Sequence, residues 1–218
     1  HKYIGLENGL SNQKIYYIQK DRRGYMWFLT QEGVDRYDGK YIKHYNFSDD
    51  SIKLDSRIAL NWLYMDSGNI LWVIGQKGRI FRYDSQHDKF KLAYIHPELI
   101  RNKPQAFLNY GYLDKNDRIW LCYKDSITWY DIRTGTTLHM PTPVNGEITA
   151  IEQTDSNHFF IGTGNGLFHA GIEKGKLNIM PDKMVEGIGT SVHELYYHAV
   201  SKQLFVGNYK EGILIYDM

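Results

Sequence analysis

The chain has 218 residues, 42% hydrophobic and 23% charged, and a formal net charge of +1 with acids and bases interspersed. That size and balance suit a globular protein with a real core and exclude electrostatically driven nucleic-acid binding, which needs a basic stripe. A single cysteine, Cys122, excludes an internal disulfide, and no stretch approaches the roughly 18 apolar residues of a membrane span.

In chain order, residues 2–6 form a strand-like run that has no repeat of its own, followed by Gly9-Leu10-Ser11-Asn12. Residues 15–18 are β-branched and aromatic and predict a first strand, A. The Asp21 to Gly24 turn leads to 26–29, a nearly continuous apolar run that predicts strand B of a sheet buried on both faces. Glu32-Gly33 turns into strand C at 34–37, and Asp38-Gly39 is a hairpin signal leading to strand D at 41–45, alternating and more polar as an outer edge should be.

The same unit returns. A strands are predicted at 60–64, 107–110, 148–151 and 192–195, and D strands at 90–94, 136–140 and 176–180. Trp27, Trp72, Trp120, Phe160 and Phe205 recur at a spacing of 40–48 residues. A period in the forties made of short strands and turns predicts an all-β fold, a β-propeller of four-stranded antiparallel blades. Five repeats are present, read as one propeller region over 1–218 with blades near 15–47, 59–95, 107–140, 148–180 and 192–218. The last lacks an outer strand, which 2–6 would supply if the five close into a ring; otherwise 2–6 pairs with a further blade. One helical turn is expected at 98–102, ended before Pro104. The chain opens on His1 with no visible signal peptide and reads as a mature fragment of something longer.

The unit Asp-x-x-Gly-x-x-Trp, continuing through Gly to Arg-Tyr-Asp at 21–38 and, in part, at 66–84, resembles the repeat of two-component regulator propellers, as does the Gly-Leu-Ser-Asn opening. The resemblance spans the chain but fades: the fourth repeat has Phe160 for Trp and no Tyr-Asp ending, and the fifth has Ala199-Val200-Ser201-Lys202 in place of the Asp-x-x-Gly turn. It implies the periplasmic sensor region of a Bacteroides-type hybrid two-component protein, a homodimeric sensor histidine kinase. In such a protein the chain would belong to a first propeller, beside a second propeller and a β-sandwich, and would respond to oligosaccharides from polysaccharide breakdown. No kinase, membrane or DNA-binding element lies in these residues.

Catalytic and metal motifs are near misses. His193 and His198 are five apart in a strand pattern, where a zincin needs four on a helix. Ser11-Asn12-Gln13-Lys14 has the Ser-x-x-Lys spacing but leads into a strand. Gly162 to Gly166 reads as the end of strand B and its turn, with Gly164 and Gly166 free to take unusual φ. Asp114 to Asp117 reads as an A–B turn rather than a calcium loop. Cys122 reads as a small buried thiol. No catalytic residue, metal or cofactor is expected.

Long D-to-A connections leave the same end of each blade as the B–C turns, and loops on a rigid scaffold carry function. That end predicts a ligand site of Arg57, Asn61, Gln76, Lys77, Gln105, Asn109, Lys124, Asp125, Asn165, His193, Tyr209 and Lys210. Amides, charges and an aromatic suit sugar hydroxyls or an acidic sugar. The competing expectation is a propeller lyase or glycosidase, which needs a carboxylate pair at a defined separation. Asp55, Asp125, Glu147, Glu194 and Glu211 are the acids expected at that end. A eukaryotic-type interaction scaffold would carry Gly-His and Trp-Asp pairs, and the chain has neither.

Overall fold

The structure is a computed structural model that describes residues 3–47, 59–97, 107–180 and 191–218. The chain is all-β, a β-propeller fold of five antiparallel blades, and it divides into two compact units, His1–Phe107 and Leu108–Met218. In each blade the strands pair in chain order, so every blade is a simple meander.

The first unit holds two blades. One comprises β1 (Ile15–Lys20), β2 (Met26–Thr30), β3 (Gly33–Tyr37) and β4 (Ile42–Tyr45); the other comprises β5 (Leu60–Met65), β6 (Leu71–Gly75), β7 (Arg79–Asp84) and β8 (Lys89–Tyr94). The second unit holds three. They are β9 (Tyr110–Leu113) to β12 (Thr137–Pro141) through β10 (Arg118–Cys122) and β11 (Ser126–Asp131); β13 (Ile148–Gln153) to β16 (Lys176–Ile179) through β14 (His158–Thr163) and β15 (Gly166–Glu173); and β17 (Val192–His198), β18 (Gln203–Asn208) and β19 (Gly212–Asp217). The last blade is three-stranded among the described residues.

The central residues of β6, β10 and β14 are apolar because these strands are buried from both sides. On β14, Phe159 and Ile161 join a core with Trp120, Trp129 and Ile151, in the seam toward the third blade. Phe160, between them, points the other way, into a core with Val192, Leu195 and Leu204 of the fifth. Trp27 fills the corresponding seam of the first unit, with ring centroids 4.8 Å from Tyr83 and 6.2 Å from Phe90 of the second blade. The anchor aromatics Trp27, Trp120 and Phe160 are thus wedges directed at the next blade, and all three are at most 2% exposed.

The Asp that starts each complete repeat has a defined task. Asp21, Asp66 and Asp114 each accept a hydrogen bond from the indole Nε1 of the tryptophan six residues on, at 3.0, 2.8 and 2.8 Å. The other carboxylate oxygen accepts backbone N–H groups of the A–B turn, as from Arg23 and Tyr25 to Asp21 and from Asn116 and Arg118 to Asp114. One side chain therefore closes the hairpin and satisfies the only polar atom of the wedge. In the fourth blade Thr154 takes this place, its N–H bonded to the carbonyl of His158 as that of Asp114 is to Arg118, and the wedge is Phe160. In the fifth the pair is Ala199 and Phe205. Donor and acceptor disappear together, as expected where either one alone would be left buried and unpaired.

Three local expectations change. Where a strand was expected at 2–6, the described residues 3–5 are not strand, and Leu6–Asn8 form a 3-10 turn. The Asn8 side chain accepts the Gly5 N–H at 2.9 Å, and Gly9 follows at φ 98°, so the chain folds back on itself. Gly166 has a positive φ of 139° but Gly164 does not. The third blade's innermost strand starts at Tyr110 rather than 107. The turn expected at 98–102 lies outside the described residues. Cys122 is fully buried, and burial pushes its thiol pKa up, out of the reactive range.

Candidate functional site

The entry of the innermost strand is irregular in the same way around the chain. Ile15 faces Thr30 and Tyr17 faces Leu29, leaving Tyr16 as an extra residue. Matching shifts leave Asn61 in β5, Thr149 in β13 and His193 in β17. In the third blade Tyr110 faces Cys122, and the preceding Asn109 N–H also reaches the Cys122 carbonyl, at 2.9 Å, so Asn109 occupies the same position. A bulge bends its strand and re-aims the extra side chain, and such bulges gather beside functional sites. Asn61, Asn109 and His193 were expected at a site, from predicted A strands that enter at the long-loop end; Tyr16 and Thr149 were missed. Aligning the repeats on strand B and counting back would have placed all five in one register.

The other expected residues stand in the B–C turns. Gln76 and Lys77 lie between β6 and β7, with Lys77 at φ 70° and the Gln76 N–H on the Ala59 carbonyl at 2.7 Å. Lys124 and Asp125 lie between β10 and β11, and the Asp125 carbonyl accepts the Thr142 N–H at 3.1 Å. Asn165, between β14 and β15, donates from Nδ2 to the Asn145 carbonyl at 3.3 Å. Tyr209 and Lys210 lie between β18 and β19. In the second unit β13 touches both β9 and β17, so Asn109, Lys124, Asp125, Asn165, His193, Tyr209 and Lys210 share one end of three adjacent blades. Asn61, Gln76 and Lys77 share the corresponding end of the second blade in the first unit. Arg57, Gln105 and Asp55 lie outside the described residues.

One feature of this end is built for contact. Tyr209 is 85% exposed, yet its ring centroid is 3.8 Å from that of His193, the planes at 61°. His193 Nε2 is in turn paired with Ser191 Oγ at 3.0 Å. An exposed aromatic face is thus held by a ring whose own orientation is fixed.

Two carboxyls of this unit are shifted upward. Burial raises Glu152, against a hydrogen bond from the Tyr197 N–H at 3.3 Å that lowers it, and burial also raises Glu194. The charge of the nearby Glu194 also raises Glu152, while the backbone of the adjacent innermost strand holds the Glu152 carboxylate. Among the described residues no group of three His, Cys, Asp or Glu is arranged to hold a metal. His193 and His198 have separate partners, Ser191 and Ser201, toward opposite ends of β17. Ser11 bonds Asp35 and Thr30, while the Lys14 ammonium lies over the Tyr16 ring at 5.2 Å.

At the A–B end of the first unit a cleft of about 250 Å³ runs between the turns of its two blades, lined by residues that include Asp21, Arg23, Trp27, Asn69 and Tyr83. Beside it Asp88 gathers Arg36 at 2.8 Å, Lys43, and the Tyr45 and Tyr83 hydroxyls. Burial would raise the Asp88 carboxyl, but the hydrogen bonds from Lys43, Tyr45 and Tyr83 and the Arg36 charge hold it well below the usual carboxylate range. A depressed carboxyl contributes stability above its unfolded pKa, about 3.9, and loses it as pH falls through the folded value. Wild type should therefore lose thermal stability steeply below about pH 4, and Asp88→Asn should show a shallower loss, measured by melting temperature against pH.

Residues 9–32 match the family model described as two component regulator propeller; they run from the Gly-Leu-Ser opening through β1 and β2. No curated protein is similar enough in sequence to be matched. Among solved structures, the extracellular domain of the hybrid two component system BT3049 from B. thetaiotaomicron is similar at a TM-score of 0.66 and 19% identity, over 100% of this chain and 35% of that one. The extracellular domain of the one component system BT4673 from the same organism gives 0.69 and 14%, over 94% and 27%. Virginiamycin B lyase from Staphylococcus aureus gives 0.66 and 13%, over 96% and 72%. At these identities the likeness is one of fold, and the chain spans about a third of the length of the two extracellular domains. The chain is a β-propeller whose residues 9–32 match the two component regulator propeller model.

Proposed function

We propose that the chain is a non-catalytic ligand-sensing module outside the cytoplasm, in a hybrid two-component protein of the sensor histidine kinase type, and that it responds to oligosaccharides from polysaccharide breakdown. The Tyr209–His193 pair is the observation that carries the ligand class. A sugar ring offers an apolar C–H face to an aromatic and hydroxyls to nearby amides, and Tyr209 stands open beside amide-bearing turns. The repeat at 9–32 and the fold shared with two extracellular sensor domains support the setting. Adjoining propeller and β-sandwich domains and a second copy of the parent would be its partners. No helix among the described residues is long and apolar enough to cross a membrane. Signalling requires the ligand to prefer one arrangement of the parent over another.

Calorimetry of the chain against an oligosaccharide panel tests this. Binding without reducing-end release is the expected result, and Tyr209→Ala should weaken it about tenfold, the loss of about 1.4 kcal/mol of ring contact. Specific cleavage would favour the lyase or glycosidase reading that the Staphylococcus aureus likeness keeps in view.

A further inference from the structure

We propose that Asn109, Thr149 and His193 form one line of hydrogen-bonding contacts for a single extended, uncharged polyhydroxy chain laid across β9, β13 and β17; this rests on the oligosaccharide reading and names the residues and ligand charge within it. The three occupy one register, the extra residue at the entry of three adjacent innermost strands. Equivalent positions on neighbouring strands make a row, and a row matches a polymer better than a compact ligand. Thr149 and His193 are tied together, because the Thr149 hydroxyl donates to the carbonyl of Val192, the residue before His193.

The chemistry of the row is that of sugar hydroxyls. Asn109 Nδ2 is shielded from bulk water and has no hydrogen-bond partner among the described residues, so it is a donor in need of an acceptor. Thr149 Oγ1 spends its proton on Val192 and keeps its lone pairs. His193 is fixed through Nε2 by Ser191 and through its ring by Tyr209, which leaves Nδ1 to the ligand. Donor, acceptor and imidazole in sequence can each meet an O–H, which is both donor and acceptor.

The surroundings argue against an anionic chain. The row has no charged residue, and the turns at this end of the second unit carry Lys124 and Lys210 against Asp125, Glu147 and Glu211. Among the described residues of these turns acids outnumber bases, so a uronic-acid or sulfated chain would meet no excess of positive charge there.

The test is calorimetry of the chain with cellohexaose, xylohexaose, maltohexaose and, as the anionic arm, a galacturonic acid hexamer. Asn109→Ala and His193→Ala are compared with Asn178→Ala on the outer strand β16, each checked for folding by its melting curve. Where Asn109→Ala melts early, Asn109→Thr replaces it, because the fourth blade carries Thr at this register. At least one neutral hexamer should bind. Asn109→Ala and His193→Ala should each weaken it tenfold or more, the Thr variant about threefold, and Asn178→Ala not at all. A neutral hexamer that binds both variants as tightly as wild type overturns the row while leaving the sugar reading intact. Binding confined to the galacturonic acid hexamer overturns the uncharged assignment. No binding by any hexamer removes the sugar reading itself, and the row with it.

Discussion

Asp114→Ala is expected to destabilise the second unit by about 3 kcal/mol, read from the midpoint of urea unfolding. Asp114 is 3% exposed and accepts the Trp120 indole at 2.8 Å, the Arg118 side chain at 2.7 Å, and two backbone N–H groups of its own turn. Removing it strands several buried donors at once, and an unmade buried hydrogen bond costs more than a made one contributes. Trp120→Phe alone should also destabilise, by about 2 kcal/mol, because it leaves the carboxylate one donor short and a gap in the seam. The informative variant is the pair Asp114→Thr with Trp120→Phe, which copies Thr154 and Phe160 of the neighbouring blade. Its cost should fall short of the sum of the single changes by about 1–2 kcal/mol, since donor and acceptor leave together. Strict additivity would mean that the Asp–Trp contact does not explain the six-residue spacing of the repeat.

Asp35→Ala should have the second-largest effect, about 2–3 kcal/mol, and a local one. Asp35 is fully buried on β3, a place taken in the other blades by Phe81, Thr128, Phe168 and Leu214. This buried carboxylate, the one acid at the position, is matched by Ser11, whose N–H and Oγ both donate to Asp35, at 2.7 and 2.8 Å, and by His44 Nδ1 at 2.7 Å. The Gly-Leu-Ser opening is therefore a clasp that holds the segment before β1 onto the first blade. Amide hydrogen exchange at Ser11 should rise by two orders of magnitude or more in Asp35→Ala, with the amides of β14 unchanged. Unchanged protection at Ser11 would mean the segment is held by other contacts.

The blade was legible because its signals are local. Apolar runs, Asp-Gly turns and a Trp every forty-odd residues lie within one repeat, and the double-sided burial of strand B follows from its lack of alternation. The Asp–Trp spacing was visible as a pattern, but its cause required the hairpin to close. The fourth and fifth repeats looked weak because both partners of that bond are absent together, although the fourth retains the wedge as Phe160. Individual side-chain contacts between distant residues were not legible. Arg36 and Asp88 are 52 residues apart, and the clasp from Ser11 to Asp35 crosses 24. At the candidate site, a place near the start of a predicted A strand at the long-loop end was enough to select Asn61, Asn109 and His193. The bulge that unites them was hidden, because an extra residue breaks the alternation a reader relies on. Tyr209 and His193 were chosen singly; that they touch depends on the pairing of β17 with β18.

The central claim is that ligand is received at the end of the blades where the innermost strands bulge. Amide chemical-shift mapping of the isotope-labelled chain during titration with a hexamer that binds tests it most directly. The account predicts changes at Asn109, Thr149, His193 and the turn around Tyr209, with the A–B turns at Asp21, Asp66 and Asp114 silent. Changes concentrated instead at the cleft formed by Asp21, Arg23 and Asn69 would contradict it.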